Sequence, residues 1–83
     1  MLKVKISIMR KTDIPESVKI VGKNINKIAK DKNLKIRHVA HDSDLDVENF
    51  RKYIAGKQIM GIDKIVRIAK ALNVEISILF RDV

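Results

Sequence analysis

From Glu16 onward the apolar residues recur at spacings of three and four, and residues suited to ending a helix interrupt them at short intervals. Val18, Val21, Ile25, Ile28 and Ala29 make one face of a first helix, with Lys19, Lys23, Lys27 and Lys30 on another and Asn33 as its stop. Ile36–Asp42 reads as a second, shorter helix with Val39 and Ala40 inward. Asp46 suits the N-cap of a third helix over Val47–Ala55, and Gly56 ends it as a residue that accepts left-handed backbone. "KQIMG" is a turn with Gly61 in an N-cap-like place. A fourth helix covers Ile62–Leu72, with Ile62, Ile65, Ile68, Ala69 and Leu72 on one face, and Asn73 stops it in the left-handed conformation. Ile76–Phe80 forms a last short helix. The second and third helices are separated by only about three residues, which is the geometry of a helix-turn-helix.

The first residues follow another period. In "LKVKISI", residues 2–8, Leu2, Val4, Ile6 and Ile8 alternate with Lys3, Lys5 and Ser7, the pattern of a strand. A lone strand needs a partner: the segment at the other end of the chain, the same strand of a second molecule, or a ligand that orders it as an arm. "RKTDIP" reads as a connection, and Pro15 suits the first turn of the helix that follows. The chain thus divides into a strand or arm over residues 1–15 and an all-α domain over residues 16–83.

At 83 residues the core must be economical, since so short a chain buries about 60–65% of its unfolded surface. There is no cysteine, so neither a disulfide framework nor a thiolate metal site is available, which fits a reducing compartment. No apolar run approaches the ~18 residues of a membrane span, and "MLKVKISIMRK" lacks the apolar core of a signal peptide. A soluble cytoplasmic protein without membrane contact is expected.

The formal net charge is +8, and it is unevenly spread. Residues 1–35 hold ten Lys/Arg and three acids, or +7, whereas residues 36–83 hold eight and seven, or +1. Such a balance points to a polyanionic partner, most often nucleic acid, or else to a lysine-rich solvated surface. Against this trend "HDSDLDVENF", residues 41–50, concentrates Asp42, Asp44, Asp46 and Glu48.

Residues 21–80, from "VGKNINKIAK" to "IVRIAKALNVEISILF", resemble the phage repressor/Cro-like (XRE-type) helix-turn-helix DNA-binding family. The resemblance rests on Gly22 and Ile25 in helix 1, Leu34 before helix 2, Val39–Ala40 within it, Leu45 in the turn, Phe50 in helix 3, and Gly56–Lys57 after it. It implies a five-helix, lambda-repressor-like all-α domain. Pattern and resemblance agree on a core of Leu34, Val39, Ala40, Leu45, Phe50, Tyr53, Ile65, Ala69, Leu72, Val74, Leu79 and Phe80. Three positions depart from the family pattern. Ile36 stands where Gln usually bonds a phosphate, Asp44 where Gly is usual in the turn, and Ile54 where Glu is common.

The resemblance implies that helix 3 lies in the major groove, with Val47, Glu48, Asn49, Arg51 and Lys52 as candidates for base contact. Arg reads guanine, Asn reads adenine, and Glu accepts from the cytosine amino group. Lys19, Lys23, Lys35, Arg37, Lys57 and Gln58 are candidates for phosphate, which they would bind without reading sequence. A homodimer is expected on a two-fold site, through Ile76, Ile78, Phe80 and Val83 or through the strand residues Val4, Ile6 and Ile8.

Other chemistries fit poorly. Asp42, Asp44 and Asp46 match the first carboxylates of a calcium loop, but Val47 and Tyr53 stand where Gly and Glu are required. His38 and His41 have no further ligand pair for a metal. No catalytic constellation and no cofactor motif is visible, so a non-enzyme is expected. The reading is a transcriptional regulator, a repressor being the expected mode, that binds double-stranded DNA in sequence-specific fashion. The alternative is a protein-interaction module on the same scaffold, favoured by the four bases and four acids of residues 36–57, which leave the reading unit neutral.

Overall fold

The computed structural model describes residues 14–83, which form five helices. These are α1 (Glu16–Asp31), α2 (Ile36–Asp42), α3 (Val47–Ile54), α4 (Ile62–Leu72) and α5 (Ile76–Leu79), with no strand among the described residues. The strand expected at residues 2–8, with Val4, Ile6 and Ile8, lies outside them. Three boundaries differ by one residue from the pattern. Pro15 caps α1 rather than entering it, its carbonyl accepting from the N–H groups of Val18 and Lys19 at 3.1 and 3.3 Å. Ala55 and Phe80 cap α3 and α5 instead of closing their last turns.

The first four helices end in the same way. Asn33, Asp44, Gly56 and Asn73 follow them with φ of 58°, 58°, 73° and 59°. In each case the left-handed residue and its successor turn their N–H groups back onto the last helical carbonyls. After α2, Asp44 donates to the His41 carbonyl at 3.0 Å and Leu45 to the Ala40 carbonyl at 2.9 Å. After α1 the pairs are Asn33 to Lys30 and Leu34 to Ala29, and after α4 they are Asn73 to Lys70 and Val74 to Ala69. This ending satisfies carbonyls that a helix leaves without intrahelical partners and reverses the chain within two residues.

The core joins all five helices: Val21, Ile25 and Ala29 from α1, Val39 and Ala40 from α2, Phe50 and Tyr53 from α3, Ile65, Ile68, Ala69 and Leu72 from α4, and Leu79 from α5. Leu45 and Val74 pack against it from the turns. Two residues expected inside are at the surface. Leu34 is 37% exposed because it closes the end of α1, and Phe80 is 39% exposed because it follows the last turn of α5. Ile62, expected on the inner face of α4, is 73% exposed in its first turn, and Met60, just before that helix, fills the interior. Ser43 is 1% exposed, its hydroxyl donating to the Val39 carbonyl at 2.7 Å.

α1 crosses α3 at Gly22. A Cβ there would sit 2.5 Å from the Tyr53 carbonyl oxygen and 3.1 Å from the Ile54 Cα, both main-chain atoms that no side-chain rotation can move aside. Replacing Gly22 by Ala gains about 1 kcal/mol of helix propensity. The overlap costs more, ~1–3 kcal/mol for overpacking a tight contact. Gly22→Ala is therefore expected to destabilise, read as a lower urea midpoint, where an exposed helical Gly→Ala change would raise it.

Candidate nucleic-acid interface

The site is built on the α2–α3 corner. Ser43 caps α2, Asp44 turns the chain through its left-handed backbone, and Asp46 opens α3. The Asp46 carboxylate accepts from the backbone N–H groups of Glu48 and Asn49 at 3.1 and 3.2 Å. It thereby satisfies first-turn donors, and its negative charge faces the positive pole of the helix. Glu48 in the first turn and Arg51 and Lys52 in the last also follow the helix dipole.

α3 is seated by Phe50 and Tyr53, both buried. At 3.6 residues per turn, Glu48 and Lys52 then stand opposite that face, with Asn49 and Arg51 on its flanks. All four are exposed. Val47 differs from them: it is half-buried and packs against the core, so only its edge is available to a ligand. Ile36 and Ile54, the residues that replace polar family positions, are likewise half-buried against the core. Their side chains contribute packing and offer no hydrogen bond.

The cations lie at both ends of the corner. Lys35 caps α2 with its main chain and Arg37 lies in that helix's first turn, both side chains exposed. At the far end of α3 the stem of Lys19 crosses Gly56, its Cγ 3.0 Å from where a Cβ at Gly56 would be. The structure thus brings Lys19 of α1 beside Gly56 and Lys57, residues distant in sequence. Lys23 is exposed one turn further along α1. Gln58 is half-buried and, with Ile14, Lys57 and Ile59, lines an open hollow in the α3–α4 connection.

Ile76, Phe80 and Val83 are exposed and Ile78 is half-buried. Phe80 borders a shallow apolar hollow with Val18, Val21, Met60 and Ile65. The acids near the turn make no ion pair among the described residues. The one ion pair among the described residues joins Asp63 to Arg67 along α4 at 3.7 Å, and its exposure makes it worth little. No three of His, Asp and Glu come together there as metal ligands. No helix among them is long and apolar enough to cross a membrane.

Sequence reasoning missed two polar residues that shape this unit. Ser43 lies between two exposed acids, and nothing in its context marks it as buried. Asn24 makes hydrogen bonds to residues more than fifty positions away, which no periodicity reveals.

The Cro/C1-type helix-turn-helix DNA-binding domain matches residues 24–83. Among solved structures, the restriction-modification controller protein C.AhdI from Aeromonas hydrophila is similar in fold, with a TM-score of 0.76 at 23% identity. That match covers 80% of this chain and 100% of the controller protein. No curated protein matches by sequence.

The Asp46 cap can be tested directly. Asp46→Ala should lower stability by about 1 kcal/mol. It should also raise amide hydrogen exchange at Glu48 and Asn49, while the exchange of α4 amides changes only with global stability.

Proposed function

The chain belongs to the Cro/C1-type helix-turn-helix DNA-binding family, and from that premise we propose that it is a sequence-specific regulator of transcription, acting as a repressor, that lays α3 in the major groove of duplex DNA. The observation that carries this reading is the exposed set Glu48, Asn49, Arg51 and Lys52, held outward by a helix whose other face is anchored in the core. In this role Arg51 reads guanine, Asn49 reads adenine and Glu48 accepts from the cytosine amino group. Lys19, Lys23, Lys35, Arg37, Lys57 and Gln58 bind phosphate on either side, and Val47 contributes at most an apolar edge. The fold shared with a restriction-modification controller protein is in keeping with a regulatory role. The protein acts in the cytoplasm, needs no cofactor and catalyses no reaction.

Two copies act together through Ile76, Ile78, Phe80 and Val83, setting their α3 helices ~34 Å apart on a two-fold site. The four acids of residues 36–57 cancel the four bases there, so most of the phosphate attraction comes from α1 and from the residues flanking the corner. Discrimination between sequences then exceeds general grip on DNA. A second reading, a protein-interaction module, is favoured by that same neutrality and by the exposed Ile59 and Ile62.

Selection from random duplexes separates the two readings. The regulator enriches one sequence, bound ~10³-fold or more above the random pool, with affinity falling steeply as salt rises. Arg51→Ala relaxes one or two positions of that sequence at a cost of ~1–3 kcal/mol, whereas Lys57→Ala weakens all sequences alike and lowers the salt slope by about one. A pool without a preferred sequence would leave the interaction module standing.

A further inference from the structure

Most of the net charge of the helical domain sits on α1 and the turn that follows it. Residues 16–35 hold six Lys/Arg and two acids, or +4. Residues 36–57 hold four of each, and residues 58–83 hold four and three, or +1. Lys19, Lys23, Lys27 and Lys30 of α1 are all exposed, and none of them takes part in the one ion pair among the described residues.

Helix geometry separates one of the four from the rest. At 3.6 residues per turn, Lys19, Lys30 and Lys23 fall within about 40° of one another around α1, and Lys27 lies about 40° beyond Lys23. The two edges of this arc face different neighbours. Gly22, which touches Tyr53 and Ile54 of α3, lies about 60° before Lys19. At the other edge Lys27 lines an open hollow between α1 and the end of α5, together with Asp31, Arg81 and Asp82. Lys27 thus shares its surroundings with two carboxylates, while Lys19, Lys23 and Lys30 form a row toward the α3 side.

Both ends of this row adjoin the α2–α3 corner. At its start the Lys19 stem crosses Gly56 at the end of α3, and Lys57 follows. At its finish Lys30 stands in the last turn of α1, where the Asn33 N–H donates to its carbonyl at 3.0 Å as the chain turns toward Lys35 and Arg37. From Lys19 to Lys30 the row runs about 16 Å along the helix axis. That is long enough to meet successive phosphates of one strand, which lie about 3.4 Å apart along the duplex.

We propose that Lys30 is a phosphate-binding residue, the far end of a cationic edge, Lys19–Lys23–Lys30, along which α1 follows one DNA strand beside the groove that α3 enters. The proposal rests on the reading above, in which the ligand is duplex DNA. Lys27 takes no part, because it is turned to the hollow at α5. The corner itself is neutral, so this edge governs the salt dependence of binding and not the choice of sequence: an ammonium on a phosphate displaces counterions and reads no base. Lys30 also complements the dipole at the end of α1. That role acts on the stability of the free protein and leaves no mark on the salt dependence of DNA binding.

The experiment uses the full chain and titrates it by fluorescence anisotropy onto two duplexes, the sequence enriched by selection and a random-sequence pool, across a salt series. Circular dichroism establishes that each variant is folded. Lys30→Gln should lower the slope of log K against log salt by about 0.9 on both duplexes, leaving the ratio of their affinities unchanged. Lys30→Arg, which keeps the charge, should retain the parent slope, and Lys27→Gln should retain it too. If Lys30→Gln moves only the urea midpoint and keeps the parent slope, Lys30 serves the helix end alone and the proposal is overturned. If Lys27→Gln lowers the slope as much as Lys30→Gln, the effect is one of overall charge and the assigned edge is wrong. In both cases the parent still binds its selected duplex and the DNA reading stands. A parent protein that binds neither duplex at low salt overturns that reading, and the proposal falls with it.

Discussion

The close crossing of α1 over α3 at Gly22 is the contact on which the arrangement depends. With no side chain between them, the main chain of α1 comes against the Tyr53 carbonyl and the Ile54 Cα at the last turn of α3. A short helix such as α3 gains most of its stability from the surface it packs on. Here that surface is α1 on one side and α2 on the other, with Phe50 and Tyr53 buried in the core. The outward direction of Glu48, Asn49, Arg51 and Lys52 follows from this seating. So does the proximity of Lys19 to Gly56, since its stem crosses the end of α3 only because the two helices touch one turn away.

The acidic stretch at residues 41–50 looks out of place in a chain of net charge +8, and three of its four acids have separate physical places. Asp46 bonds two first-turn amides of α3. Asp44 takes the left-handed backbone that glycine would adopt at less cost, and its N–H completes the end of α2. Glu48 lies near the positive end of α3 while remaining exposed. Asp42 is exposed at the last residue of α2, where the helix dipole disfavours it. No structural contact accounts for Asp42.

The departures from the family pattern resolve in the same physical terms. Ile36 and Ile54 stand where polar residues are common, and both are half-buried against the core. Packing replaces a hydrogen bond at each place, so the scaffold survives the change. Polar contact with DNA, in the proposed role, falls to the flanking Lys, Arg and Gln side chains. Leu34, Ile62 and Phe80 show the limit of hydrophobic pattern. All three are apolar, yet each sits at or just beyond a helix end, where solvent reaches part of the side chain.

The sequence by itself determined, to within a residue, where the helices begin and end. Asp46, Asn33, Gly56 and Asn73 act through hydrogen bonds and backbone angles within a few residues, so their effect is local and legible. It also determined most of the core, because residues at spacings of three and four share a face in any helix. Tertiary structure alone decided which of two apolar neighbours turns inward, as with Met60 over Ile62. It also decided that Ser43 is buried and that Asn24 reaches Leu79 and Arg81. Those outcomes depend on the distance and angle between helices, and these are set by contacts such as Gly22 against Tyr53 that join residues far apart in the chain.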